Sequence, residues 1–322
     1  MRVLLAVDGS STSESARRLV GSIDWPEGTV IEVAGAIEPI IESFGTTVMP
    51  MPPTAISPDT RTVHAIEQAV DDAAAALEGP GRIIRRAILD GRPATMIVDE
   101  AVAFRAELVV VGSRGLGPLK SMLLGSVSAE IVDHAPCPIL VVRKAAFDTI
   151  LLAVDGSPSA VAAATFLGAC RFLAAHPIEV LSVAASSTHL PPVPLTGMSD
   201  AAFEADAVRV SESRRWTEAI AATAVEQLRS DGLHARWSIS QGNPAHEIIE
   251  AARCFGCDLI VVGSRGHTGL TRIVLGSVAR NVLLHTEASV LIVREPVRVR
   301  SAERVESAER SPVGQPVTVG TS

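Results

Sequence analysis

The chain has 322 residues, room for about two domains at ~150 residues each, and its 47% hydrophobic and 20% charged content with mean hydropathy +0.32 fits a globular protein rather than a disordered one. A net charge of −8 argues against a nucleic-acid partner bound through phosphate neutralisation, which needs clustered Lys and Arg. No apolar run approaches the ~18 residues of a membrane-crossing helix, and Asp8 with a Gly-Ser turn falls where a secretory leader would still be apolar, so a cytoplasmic location is expected.

Short apolar runs alternate with longer amphipathic stretches, the pattern of βαβ units around a parallel sheet. Strands are predicted near 2–7, 29–36, 82–89, 107–112 and 138–143, with helices near 12–22, 61–78, 93–105 and 126–134. A second series follows, with strands near 149–154, 178–184, 233–240, 258–263 and 289–294 and helices near 158–175, 202–230, 244–255 and 277–285. Runs such as Leu108-Val-Val-Val111 and Leu259-Ile-Val-Val262 are apolar without alternation, as expected of strands covered on both faces. Residues 39–60, with Pro39, Pro50, Pro52, Pro53 and Pro58, form a long irregular connection of the kind used for lids and binding loops, and 185–200 is its counterpart. Beyond residue 295 the chain has no aromatic residue and repeats Ser-Ala-Glu-Arg, so 296–322 is expected to be a disordered tail.

The two series are copies of one unit. Leu4-Leu-Ala-Val-Asp-Gly-Ser10 recurs identically at Leu151–Ser157, an offset of 147. Gly91-Arg-Pro-Ala94 answers Gly242-Asn-Pro-Ala245, Val110-Val-Gly-Ser-Arg-Gly115 answers Val261–Gly266, and Leu124-Gly-Ser-Val127 answers Leu275–Val278, all at an offset of 151. The second copy therefore carries four extra residues between its first and third strands. The expected organisation is α/β, two tandem doubly wound, Rossmann-like units at 1–144 and 147–295, each a five-stranded parallel sheet of order 3-2-1-4-5.

Each copy places Gly-x-x-Gly directly after its fourth strand and Gly-Ser nine residues later at the start of a helix: Gly112, Ser113, Arg114, Gly115, then Gly125, Ser126 and Val127, and again Gly263, Ser264, Arg265, Gly266, then Gly276, Ser277 and Val278. Glycine lets backbone approach closely, and a helix N-terminus attracts anions through free N–H groups and the positive dipole end. The two loops lie at the carboxyl ends of central strands, where open α/β sheets bind ligands, so they are read as phosphate loops, with Ser126 and Ser277 capping the helix or touching phosphate. Neither is a Walker A loop or a dinucleotide fingerprint. Asp8 and Asp155 close the first strand of each copy just before Gly9 and Gly156. They are expected to face the loop as acceptors for ribose hydroxyls or a base amine, with capping of the following turn as the alternative.

These residues resemble the universal stress protein family in its ATP-binding subclass, an adenine nucleotide α-hydrolase-like fold: Val-Asp8-Gly-Ser, Gly91-x-Pro-Ala, the Gly-x-x-Gly loop with its nine-residue spacer to Gly125-Ser126, and Pro136-Cys-Pro138. The resemblance covers both copies. It implies one ATP per copy, an adenine-reading backbone group near Ala36 and Val183, pairing of the two copies through their last strands about a pseudo-twofold axis, and a nucleotide-dependent role in stress response or growth arrest. It leaves open whether Mg²⁺ accompanies the nucleotide, whether two chains form a homodimer, and which regulatory protein responds. The alternative is a slow ATPase or nucleotidyl-transfer enzyme of the same fold, although no catalytic base is identifiable. The second loop continues His267-Thr268-Gly269 where the first has Leu116-Gly117-Pro118, which loses a polar contact and one backbone donor, so the second copy is expected to bind more tightly. Cys254-Phe-Gly-Cys257 has redox spacing but sits between a helix end and a buried strand, and is read as packing. The other histidines lack metal-ligand spacing.

Overall fold

The computed structural model describes residues 1–42, 54–56, 59–115, 124–185, 200–266 and 275–295. In the first half the chain forms β1 (Arg2–Ala6), α1 (Ser11–Ser22), β2 (Thr29–Ile37), a hairpin of β3 (Ile40–Glu42) and β4 (Thr54–Ile56), α2 (Thr60–Leu77), β5 (Arg82–Asp90), α3 (Pro93–Ala103), β6 (Leu108–Gly112), α4 (Ser126–His134) and β7 (Ile139–Val142). The second half follows with β8 (Ile150–Val154), α5 (Pro158–Ala169), β9 (Ile178–Ala185), α6 (Asp200–Ser230), β10 (Ala235–Gly242), α7 (Pro244–Cys254), β11 (Leu259–Gly263), α8 (Ser277–His285) and β12 (Ser289–Val293).

The main sheet runs β10-β9-β8-β11-β12-β7-β6-β1-β2-β5. Each half contributes five parallel strands in the expected 3-2-1-4-5 order, and the two sheets join through their last strands, as the resemblance implied: β12 and β7 pair antiparallel through Val290↔Val141, Leu291↔Leu140 and Ile292↔Ile139. The reason is that β7 and, but for Ser289, β12 are apolar and buried, so leaving either as an edge would expose both a hydrophobic strand and its unpaired backbone. The true edges carry charge instead, with Arg82, Arg85 and Arg86 on β5 and Arg236 on β10.

Strand side chains alternate between two cores that run across the seam. Val3, Leu5, Val110 and Leu152 point to the face covered by α1, α2, α5 and α6, while Leu4, Val109, Val111 and Leu151 meet α3, α4, α7 and α8. The central strands are buried on both faces, which is why their sequences show no polar alternation. Burying each such Leu or Val stabilises the fold by about 1.5–3 kcal/mol.

Arginines lock the seam. Arg143, just past β7, donates to the Leu283 carbonyl at 2.6 Å and the Ala288 carbonyl at 3.2 Å, and Arg294, just past β12, donates to the Asp133 carbonyl at 2.8 Å and to that of Val132. Each half thus satisfies the last carbonyls of the other half's final helix. Arg280 to Asp133 (2.8 Å) and Lys144 to Asp258 (2.6 Å) add ion pairs across the same boundary.

Two features differ from the sequence expectation, and a third refines it. The irregular stretch 39–60 contains the β3–β4 hairpin, too short and too close to prolines to register as strands. The helix expected over 158–175 ends at Ala169; Cys170 leaves helical geometry and Arg171–Leu173 form a 3-10 turn. That turn sets Phe172 against Trp25 of the first half, with ring centroids 4.9 Å apart, so a contact remote in sequence outweighs the local helical pattern. Finally, the pairing Leu151↔Glu179 repeats Leu4↔Glu32, and Ala235↔Ile178 repeats Ile84↔Ile31. The four extra residues of the second half therefore fall between β9 and β10, in the α6 connection. The expected tail 296–322 and most of 185–200 lie outside the described residues.

Candidate functional site

At the carboxyl end of β1, Asp8 opens a turn in which Gly9 has φ +76, a left-handed conformation that suits glycine, and Gly156 repeats it at φ +78 after Asp155. The Asp8 Oδ1 atom accepts from the Ser10 N–H at 2.9 Å, and Asp155 Oδ1 accepts from Ser157 N–H at the same distance. The capping alternative for these aspartates is thus realised by one oxygen. The other oxygen faces the loop: a Cβ placed on Gly115 would lie 2.6 Å from Asp8 Oδ2, and one on Gly266 would lie 2.9 Å from Asp155 Oδ2. One carboxylate serves the turn and the loop together.

The glycines divide their work. Gly112 and Gly263 are pressed against the start of α1 and α5, where an added Cβ would sit 2.7 Å from Thr12 and 2.6 Å from Ser159. Gly125 and Gly276 bring the chain back after the spacer, their N–H groups donating at 2.8 Å to the Ser113 and Ser264 carbonyls. Both then serve as N-caps of α4 and α8, and neither helix has a side-chain cap. Ser126 and Ser277 are first helical residues, so the capping role expected for them is not realised; the N–H groups of the first turn have no side-chain acceptor.

Ser113 and Ser264 are buried beneath the loop, and Ser264 Oγ finds no hydrogen-bond partner among the described residues. Arg265 reaches Glu295 at 3.7 Å. Arg143 is pushed down to about 10 by its burial and by the nearby charge of Arg114, and Arg294 is lowered by burial and by Arg265, Asp133 opposing. Positive charge is therefore concentrated beside both loops despite the acidic chain. Leu116, Gly117, His267 and Gly269 lie outside the described residues.

In the second half these parts enclose a cavity of about 340 Å³, within the ~300–1,000 Å³ usual for small-molecule sites. Asp155, Gly263, Arg265, Gly266, Gly276, Ser277 and Val278 line one end; Leu181, Val183, Pro244 and Ile248 line the other. One end is rich in backbone donors and the other is apolar. Ala36, on β2, holds the position of Val183 in the first half and is half-buried; Val127 is exposed where Val278 lines the cavity.

Two functional residues were missed in the sequence. Thr12 and Ser159 hold the loops: each hydroxyl donates to the carbonyl of Arg114 or Arg265 and accepts from the same residue's N–H, at 3.1 and 3.2 Å. A hydroxyl residue two places after each Asp-Gly-Ser was the available signal. The Cys254 and Cys257 thiols are free; Cys254 is exposed, while Cys257 is buried and pushed up to about 11 by that burial, consistent with packing.

A doubly wound α/β protein with two glycine loops leading into uncapped helices is, by its fold and site, of the class that holds small anionic ligands at strand carboxyl ends. The universal stress protein family model matches residues 1–143 and again 146–294, and the chain belongs to that family. A universal stress protein of Mycolicibacterium smegmatis is 28% identical over 300 residues, spanning 91% of this chain and 96% of the relative. One from Thermus aquaticus is 36% identical over 141 residues, 44% of this chain and 97% of its own length, so it corresponds to a single half. The crystal structure of a universal stress protein from Archaeoglobus fulgidus superposes with TM-score 0.59 at 19% identity, covering 91% of this chain and 98% of that one, a likeness of fold.

Proposed function

We propose that the chain binds ATP, one molecule per half, and acts as a nucleotide-dependent regulator of stress response or growth arrest. The observation that carries this reading is the second-half cavity, polarised between donors at Gly266, Gly276 and Ser277 and apolar walls at Leu181, Val183 and Ile248. A triphosphate suits the first end, where the uncapped helix offers N–H groups and the positive dipole end. A flat base suits the second, with Asp155 between them to accept from ribose hydroxyls. The first half repeats the same loop, aspartate and uncapped helix.

A ligand held this way stabilises the folded state by mass action, and occupancy is the signal the reading assigns to the protein. Hydrolysis is not required, and among the described residues Asp155 is the carboxylate that lines the cavity. Mass analysis of nucleotide released from purified protein, combined with a turnover assay, tests the reading. Bound ATP with negligible turnover is expected. Rapid hydrolysis abolished by Asp8→Glu and Asp155→Glu would favour the enzyme instead, and failure to bind any adenine nucleotide would overturn both. Proteins of this kind are expected to work in the cytoplasm.

A further inference from the structure

A second cavity, of about 720 Å³, lies at the opposite end of the sheet from the glycine loops, among the segments that lead into β8, β9 and β10. Its size suits a small molecule, and the run of β10, ~25 Å at the usual rise of a strand, separates it from the other cavity. Pro177, Ile178 and Leu233 give it apolar surface, while Arg229, Arg236 and Phe255 line it with two guanidinium groups and a ring.

These groups are held in place. Glu179, buried on β9, accepts from Arg236 Nε at 2.5 Å, and the same guanidinium lies 5.8 Å from the centre of the Phe255 ring. Phe255 follows α7 and is 39% exposed, whereas its counterpart after α3, Phe104, is buried. Arg229, in the last turn of α6, donates from Nε to the Ala235 carbonyl at 2.9 Å.

The charge of Arg229 is what the first half lacks. At the same offset of 151 stands Glu78, paired with Arg86 at 3.6 Å, and Arg86 is in turn replaced by Trp237. Helix capping does not explain Arg229, because the carbonyls of Gln227, Leu228 and Arg229 already accept from the N–H groups of Asp231, Leu233 and Gly232. Nor does an ion pair: among the described residues Glu179 is the carboxylate that lines the cavity, and Arg236 takes it. The two arginines and Glu179 leave one net positive charge beside apolar and aromatic surface.

We propose that this cavity is a second ligand site, for a small organic carboxylate with a flat apolar body, held by Arg229 and Arg236 with its body against Phe255. Guanidinium groups present paired N–H donors that match a carboxylate, and a ring packs well on a ring. A bare inorganic anion would leave the apolar surface unused, and a neutral aromatic compound would leave the charge unmet. The proposal stands apart from the nucleotide reading, since the two cavities share no lining residue.

Calorimetric titration of the full chain with naphthoate, with its neutral analogue naphthylmethanol and with inorganic phosphate tests it. Naphthoate is expected to bind at one site per chain, about tenfold or more tighter than either control, and equally well in the presence of ATP. Arg229→Glu, which installs the first-half charge, and Phe255→Ala should each weaken it by about tenfold or more, while Gly266→Ala should leave it unchanged. Both altered side chains are exposed, and circular dichroism checks that the variants are folded. No binding of naphthoate at millimolar concentration, equal binding of either control, or indifference to both variants would overturn the proposal. Displacement of naphthoate by ATP would put the carboxylate in the other cavity and overturn it as well.

Discussion

Gly115 and Gly266 lie in backbone conformations open to any residue; what makes them glycine is the aspartate opposite, 2.6 and 2.9 Å from an added Cβ. Alanine at either position must displace that carboxylate, which also holds the Ser10 or Ser157 N–H. Each substitution is expected to weaken ATP at its own site by about tenfold or more, ~1.4 kcal/mol, with the greater loss of total binding from Gly266→Ala if the second half binds more tightly, as its loop sequence leads us to expect. Equal losses, read by calorimetry, would count against that asymmetry. A second residue carries a pH dependence. Glu32 is buried on β2, and that burial, with the hydrogen bond and charge of Glu100 from α3, pushes it up to about 7 against the opposing charge of Arg85 on β5. The folded state then holds a proton that the unfolded chain releases, so the contribution of Glu32 is fully present below about pH 4.5 and is lost as pH rises through about 7. Glu32→Gln should stabilise the protein relative to the parent at pH 8 more than at pH 5, measured as urea midpoints; an equal effect at both values would contradict this. The counterpart Glu179 is paired with Arg236 at 2.5 Å, so Glu179→Gln should not reproduce the gain.

At the scale of elements, the ends of α4 and α8 have separate duties: the N-termini follow the glycine loops without a side-chain cap, and the C-termini are satisfied by arginines from the opposite half. Arg294→Met removes the two bonds to Val132 and Asp133, and should lower stability by about 1–3 kcal/mol in chemical denaturation; an unchanged midpoint would show that water replaces the arginine without loss. Such end-to-end duties also mark what the sequence made legible. The strands were readable because β6, β8 and β11, and β1 beyond Arg2, are buried on both faces and hence apolar, and the duplicated motifs placed the glycine loops. The double use of Asp8 was only half legible, since a turn cap and a ligand acceptor predict the same residue. Thr12 and Ser159 were missed because their partners are backbone atoms about a hundred residues away. The break at Cys170 depends on Trp25 across the seam, which no local pattern near 158–175 encodes.

On the scale of the whole molecule, the duplication yields one ten-stranded sheet with two cores that each run through both halves. With β7 and β12 each supplying the other's missing neighbour, the halves are expected to unfold together, and scanning calorimetry should show one transition; two well-separated transitions would contradict a shared core. The acidic balance acquires a structural explanation at this scale. Carboxylates are spread over the surface, while Arg114, Arg143, Arg265 and Arg294 gather beside the two loops, so an acidic protein carries two sites suited to small anions. The most direct measurement of the central claim is the number of ATP molecules bound per chain, by native mass spectrometry of the full-length protein. The account predicts two, falling to one in Gly115→Ala or Gly266→Ala at concentrations between the parent and variant dissociation constants; a chain that takes up no ATP, or whose uptake is indifferent to both glycines, would contradict it.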